Sequence, residues 1–243
     1  MVYGLISDIH GSLEALEAVL AELKDCDAFL CLGDIVGYGP DPAACIERVR
    51  ELPGLVCVAG NHDLAVVSRF DVTWFNEHAR EAVFWTQRQL SSEHLTYLAS
   101  LPLRARAADA ELVHGSLPNE MDYITTTWEA ASCFEAMAGD LCFIGHTHVA
   151  EYYWQQDRSG VAEQKALWSG GAVPLADNQR YIVNPGGVGQ PRDGNRAASC
   201  GLYDSESRAV EVRRVAYDVE SVQAKMRKAK LPEYLADRLA RGR

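Results

Sequence analysis

Nine side chains in this sequence could hold divalent metal, and all follow short apolar runs. Asp8 and His10 come after the first run and Asp34 after the second. Asn61, His62 and Asp63 come after the third, His114 after a later one, and His146 and His148 after Phe143-Ile144-Gly145. Carboxylate, imidazole and carboxamide together suit two divalent transition-metal ions better than one, and Mn²⁺, Fe²⁺, Zn²⁺ or Ni²⁺ are all compatible. The set contains no thiolate, so it is not a structural zinc site of the cysteine kind. Paired ions clamp the attacking and leaving oxygens of an in-line displacement. The natural substrate of such a pair is a small phosphoester. His78 and His94 fall in helical stretches and are given no role.

The elements that must position these groups can be read from periodicity. Val2–Ser7, Ala28–Leu32 and Leu55–Ala59 read as buried strands, separated by helical patterns over Leu13–Leu23 and Pro42–Leu52. Ser12 stands at the N-cap position of the first helix. Strand-helix-strand-helix-strand implies a parallel sheet with right-handed crossovers. In open α/β sheets the carboxyl ends of the strands form the ligand crevice, which is where the nine residues lie. Glycines 33, 60, 115 and 145 are expected to permit tight turns there.

Residues 76–100 read as two helices broken near Ser91-Ser92, a helical insertion not needed to close a βαβ unit. Strands follow at Leu103–Ala107 and Glu111–His114, a helix at Thr127–Ala138 and a buried strand at Leu141–Ile144. Antiparallel strands are then expected at Ala150–Trp154, Ala166–Trp168, Tyr181–Val183, Ser199–Tyr203 and Ala209–Val215. Helical patterns at Val219–Lys230 and Pro232–Arg241 end the sequence. No repeat, linker or domain boundary interrupts it, so residues 1–243 are taken as one α/β domain with two kinds of sheet.

The chain has 243 residues, a net charge of −11 and 48% hydrophobic residues. That apolar content excludes a disordered chain. No apolar run approaches the ~20 residues of a membrane helix. Met1 to Asp8 carry no basic region leading into a cleavable apolar stretch, so neither secretion nor a membrane partner is expected. The acidic balance argues against nucleic acid as a partner, which calls for a basic footprint. From Lys225 onward seven basic residues meet two acidic ones, which reads as a solvated helix face. Seven cysteines without a Cys-x-x-Cys pair read as reduced thiols and a cytoplasmic location.

Asp8-x-His10, Gly33-Asp34, Gly60-Asn61-His62-Asp63, His114-Gly115 and Gly145-His146-x-His148 resemble, in order, the motifs of the calcineurin-like metallophosphoesterase superfamily. The stretch Gly33 to Pro42 and the loop Asn184-Pro185-Gly186-Gly187 are similar to its small bacterial phosphoesterase branch. The resemblance implies a sandwich of two mixed sheets flanked by helices. It implies that Asp8, His10 and His148 hold one metal and Asn61, His114 and His146 a second, with Asp34 bridging. It also implies that a metal-bound hydroxide attacks phosphorus. His62 would contact the phosphate and protonate the leaving oxygen, with Asp63 orienting it.

The departures bear on substrate. Val36-Gly37-Tyr38 stands where phosphoprotein phosphatases of the superfamily carry Asp-Arg-Gly, which argues against that activity. Gly187 replaces a serine found in many related chains. Arg192, in a Gly-rich loop, is either a contact for substrate phosphate or an ordinary turn arginine. Tyr38 is expected to be a partly buried loop aromatic rather than a stacking platform. The leading expectation is a hydrolase of small phosphoesters such as nucleotides or dinucleoside polyphosphates. Its rivals are a phosphoprotein phosphatase and a non-catalytic interaction module on the same fold.

Overall fold

The computed structural model describes residues 1–157 and 160–243. Neighbouring side chains of β1 (Val2–Ile6) point to opposite faces, and both faces are apolar. Leu5 packs in a cluster with Leu30, Leu112, Phe143 and Val183. Ile6 packs in another, with Leu16, Val19, Cys31 and Ile46. A strand apolar on both faces needs a layer on each side.

One layer is supplied by helices. The chain leaves β1 through α1 (Leu13–Glu22), returns as β2 (Ala28–Cys31), and repeats the move with α2 (Pro42–Arg50) and β3 (Val56–Cys57). The three strands are parallel. Burying Leu16, Val19 and Leu20 of α1 stabilises it by about 1.5–3 kcal/mol per side chain. That packing holds a ten-residue helix that would be marginal alone. Ser12 occupies the N-cap position, but its hydroxyl caps nothing.

The other layer is a second sheet. It runs β4 (Arg104–Ala107), β5 (Ala110–Val113), β6 (Leu141–Phe143), β10 (Gln179–Pro185), β7 (Ala150–Gln156) and β8 (Ala162–Ala166) in spatial order. The first sheet is completed on the far side of β1 by β11 (Ala198–Asp204), β12 (Ala209–Val215) and β9 (Gly171–Val173). Each sheet mixes parallel and antiparallel pairs. The Leu5 cluster fills the space between them. The outer face of the second sheet is covered by α6 (Thr127–Ala136), where Cys133 and Phe134 meet Cys142 and Ile182. The α/β/β/α sandwich expected from the motifs is the observed fold.

Four further helices pack around the sandwich. They are α3 (Asn61–Val66), α4 (Glu77–Gln89), α5 (Ser92–Ser100) and α8 (Glu233–Leu239). Ala79 and Ala82 of α4 pack against Val222 of α7 (Val219–Lys228) and Leu239 of α8.

Three expectations need correction. The strand expected at Ala166–Trp168 lies instead at Ala162–Ala166, an edge strand with Glu163, Gln164 and Lys165 exposed. Short β9 was not anticipated, and β10 is parallel to β6 although antiparallel to β7. The basic tail is not merely solvated. Lys225 Nζ pairs with Glu14 at 2.7 Å and with Asp41 at 2.9 Å, tying α7 to α1 and to the N-terminus of α2.

Candidate metal centre

The loops that leave the strands are hydrogen-bonded to one another before any side chain is considered. Asp8 N–H donates to Gly33 O, His10 N–H to Asp34 O, Gly145 N–H to His114 O and Arg192 N–H to His148 O. This lattice gathers five loops at one edge of the sandwich. Asp8, His10, Asp34, Asn61, His62, Asp63, His114, His146 and His148 are all buried there.

The backbone is bent to aim them. Asp8, His10, Asp34, His146 and His148 all adopt positive φ, between 50° and 69°. Non-glycine residues held in that region cost about 1–3 kcal/mol each. Such strain persists only where the surroundings impose it, and it clusters at functional sites. The expectation for the glycines is therefore only partly right. Gly33 does turn with φ 93°. Gly60 and Gly145 do not; they are glycines because a Cβ on Gly60 would collide with the Asp34 carboxylate, and one on Gly145 with the Ser7 hydroxyl.

Asp8 and Asp34 each have one structural oxygen and one that faces the cluster. Asp8 Oδ2 accepts Ser7 Oγ–H at 2.7 Å and His146 N–H at 3.1 Å, while Oδ1 has no hydrogen-bond partner. Asp34 Oδ1 accepts His62 N–H at 2.8 Å, while Oδ2 lies 3.3 Å from His114 Nε2 and 3.6 Å from His10 Nε2. Asn61 Oδ1 and His114 Nε2 are likewise buried without hydrogen bonds. A buried polar atom left unpaired costs about 1–3 kcal/mol, so several in one spot call for a common partner.

The imidazoles identify that partner as a cation. Nδ1 of His10, His114 and His148 lies 3.1, 2.7 and 2.6 Å from the carbonyls of Val36, Leu32 and Gln190. A carbonyl only accepts, so each Nδ1 carries a proton, and the Nε2 of His10 and of His148 then presents a lone pair to the cluster. His146 is reversed: Nε2 lies 3.0 Å from Met121 O, which leaves Nδ1 free. The Nε2 atoms of His10 and His148 stand 3.1 Å apart with both Nδ1 protons committed elsewhere. Two lone pairs at that distance repel unless a positive charge lies between or beside them. Two groups of ligand-capable atoms result, Asp8-His10-Asp34-His148 and Asp34-His114-His146, with Asp34 in both.

Electrostatics agree with ligand chemistry. Burial holds His10, His146 and His148 well below the usual imidazole range, so they are neutral, the form that binds metal. Burial opposes charge on His114 too, but the Asp34 carboxylate outweighs it and lifts His114 to about 9. Burial raises Asp8 to about 6 and Asp63 to about 7, and pushes His62 down to about 4.

One expected contact is not made. Asp63 forms no hydrogen bond to His62, whose Nδ1 has no hydrogen-bond partner. The Asp63 oxygens accept Val36 N–H at 3.2 Å and Gly60 N–H at 3.1 Å, so this carboxylate braces the loop after β2 against the start of α3. His62 is instead held by rings, Phe75 stacking at 4.6 Å and Tyr38 tilted at 4.4 Å. Tyr38 is thus buried within the site, not partly exposed on a loop.

A pocket of about 260 Å³ opens above the cluster. Arg192 and Arg238 both line it; among the described residues neither pairs with an Asp or Glu side chain, and Arg238 Nε donates to the main-chain oxygen of Arg243. Arg192 bonds Gln190 Oε1 at 2.9 Å and lies over the Tyr38 ring. Sequence reading missed Arg238, Tyr234 and Tyr123, which reach the pocket from distant segments. Only the basic tail carried a signal for Arg238, and it was indistinguishable from a solvated face. Tyr123 stacks on His146 with centroids 4.0 Å apart and planes 9° apart.

The chain is similar to known proteins over its whole length. Residues 1–208 match the calcineurin-like phosphoesterase superfamily domain. A metallophosphoesterase from Sphaerobacter thermophilus is 44% identical and superposes with a TM-score of 0.90, covering 100% of this chain and 99% of that one. Protein MJ0912 of Methanocaldococcus jannaschii is 36% identical over 247 aligned positions, 98% of this chain and 97% of its own. A symmetrical bis(5'-nucleosyl)-tetraphosphatase from Pectobacterium carotovorum is 38% identical over only 68 residues, 26% of this chain and 24% of its own length.

Proposed function

The chain belongs to the calcineurin-like phosphoesterase superfamily and is a phosphoester hydrolase, and we propose that it hydrolyses small phosphoesters with two divalent ions. In this reading Asp8, His10 and His148 hold one ion, Asn61, His114 and His146 hold the other, and Asp34 bridges them. The observation that carries it is the pair of facing Nε2 lone pairs on His10 and His148, beside an Asp34 carboxylate common to two ligand groups. The ion pair when bound would neutralise phosphoryl oxygens and lower the pKa of water. Mn²⁺ is the ion we would test first, with Fe²⁺, Zn²⁺ and Ni²⁺ as alternatives.

The remaining work falls to this chain's own groups. Arg192, without a carboxylate partner among the described residues, is suited to a charge-assisted bond with a phosphate oxygen. His62 stands over the cluster and would contact the same phosphate. Burial keeps it neutral, so it would take up a proton only beside the anion and return it to the leaving oxygen. Asp63 acts one step removed, by fixing the backbone that carries His62.

Nucleotides and dinucleoside polyphosphates are the substrates we favour. The short match to the tetraphosphatase supports that choice, and it spans about a quarter of that enzyme. Residues 76–100 would be an insertion in a single domain that shapes the mouth, since Asn76 and Ala79 line the pocket. The free and mostly buried cysteines support a cytoplasmic setting. The test is a panel of mononucleotides, dinucleoside polyphosphates, alkyl phosphates and phosphopeptides with Mn²⁺. Turnover confined to phosphopeptides would move the assignment to a phosphoprotein phosphatase.

A further inference from the structure

Beside the metal pocket lies a larger cavity of about 640 Å³ that the hydrolysis itself does not require. The two share Asn61, Trp74, Phe75, Tyr123 and His146, so the larger one begins where the ligand cluster ends. Its depth is apolar, with Leu64, Phe70 and Leu103 on its walls. Two of the shared rings are locked in place. Tyr123 lies flat on His146, and Phe75 lies nearly parallel to His62 at 4.6 Å.

Trp74 is the third shared ring. It ends the short 3₁₀ turn Val72–Trp74 and is 81% exposed, the most exposed aromatic among the described residues. Trp74 shares its lining with Phe70 and Phe75, whose ring centroids are 5.6 Å apart, so it belongs to an aromatic patch at the lip of the cavity, the kind of exposed surface that a ligand covers. Glu120 and Asp122 also line it; Arg104 takes Glu120 Oε1 and Asn119 takes Asp122 Oδ1, and the second carboxylate oxygen of each has no hydrogen-bond partner among the described residues. Flat π-faces combined with acceptors select a planar ring system that carries N–H donors. An alkyl group would use the apolar walls but not the stacking faces or the acceptors.

We infer that this cavity binds the nucleobase of the substrate, stacked on Trp74, while the phosphate it is joined to reaches the metal pocket. This rests on the reading of the chain as a hydrolase of nucleotide-sized phosphoesters. It adds the residues that would make a nucleotide a better substrate than a bare sugar phosphate.

Adenosine monophosphate and ribose 5-phosphate share a primary alkoxide leaving group and differ in the base. The expected result is a higher kcat/KM for adenosine monophosphate, through KM. The ratio between the two esters should fall roughly 5- to 150-fold in Trp74→Ala, the range for loss of one base–aromatic stack. A second measurement is independent of turnover. Adenosine without phosphate should quench tryptophan emission saturably in chelator-treated protein, and the quench should shrink in Trp74→Phe. Equal kcat/KM on the two esters together with no adenosine quench would overturn the inference. Faster cleavage of free phosphotyrosine than of adenosine monophosphate, with a preference lost in Trp74→Ala, would also overturn it and assign the cavity to a phenyl ring. If neither ester is cleaved but adenosine still quenches Trp74, the base site stands and the hydrolysis reading fails.

Discussion

Asp34 fixes the main chain of His62: its Oδ1 accepts the His62 N–H at 2.8 Å and turns Oδ2 toward His10 and His114. One carboxylate therefore sets both the ligand cluster and the residue expected to meet the phosphate. Asp34→Asn keeps an oxygen for the His62 N–H but loses the charge. The fold should persist by circular dichroism. Metal affinity should fall at both sites by more than the about 10–100-fold that an outer hydrogen-bond partner controls. Unchanged affinity for both ions would show that Asp34 does not bridge.

The His62 side chain should behave differently from the ligands. His62→Ala should retain both ions, measured by elemental analysis. It should lose about 10²–10⁴-fold on alkyl or nucleoside esters, whose leaving oxygens need a proton, and much less on p-nitrophenyl esters. His146→Ala should instead lose metal and depress both ester types together. Equal losses on both ester types in metal-replete His62→Ala would reduce His62 to a phosphate contact.

Gly60→Ala tests close approach rather than turn flexibility. The added methyl meets the Asp34 carboxylate, which is already bonded to His62 N–H. A stability loss of about 1–3 kcal/mol is expected from overpacking, read as a lower melting temperature. Metal content should drop with it. A fully metal-loaded Gly60→Ala protein of wild-type stability would mean that Asp34 can move without consequence.

Much of this site could be read from sequence because it is local. Asp8, Asp34, Asn61 and His114 each lie within a few residues of a strand end, and strand ends of a parallel sheet converge by topology. What stayed hidden was decided over long range. Asp63 sits next to His62 in sequence, yet its partners are the amides of Val36 and Gly60. Arg238 reaches the pocket only because α8 folds back beside α7 and α4. β8 is apolar-poor and held by backbone pairing to β7, so an apolar run just beyond it drew the expectation four residues too far at its start and two at its end. Asp and His adopt positive φ more readily than most residues, but type alone does not single out these five among the chain's other Asp and His residues.

Metal loading should release protons in a pH-dependent way. In the metal-free chain Asp34 lifts His114 to about 9, so at pH 7.5 this imidazole holds a proton that a metal must displace. Calorimetry in buffers of different ionisation enthalpy should report release of about one proton per chain from this group. Metal affinity should therefore rise as pH increases toward 9. The same shift acts on stability in the opposite direction. The folded value lies above the ordinary one of 6.5, so the stabilisation of the metal-free chain is complete below about 6.5 and fades as pH rises through about 9. His114→Gln should remove both dependences.

The central claim is that two divalent ions, bridged by Asp34, are what make this chain a phosphoesterase. The most direct measurement is titration of chelator-stripped protein with Mn²⁺, following bound ion and hydrolysis of p-nitrophenyl phosphoesters in the same samples. The account predicts no turnover in the stripped protein and recovery that completes as the second ion per chain binds. Full activity in the stripped protein, or full recovery with a single bound ion, would contradict it.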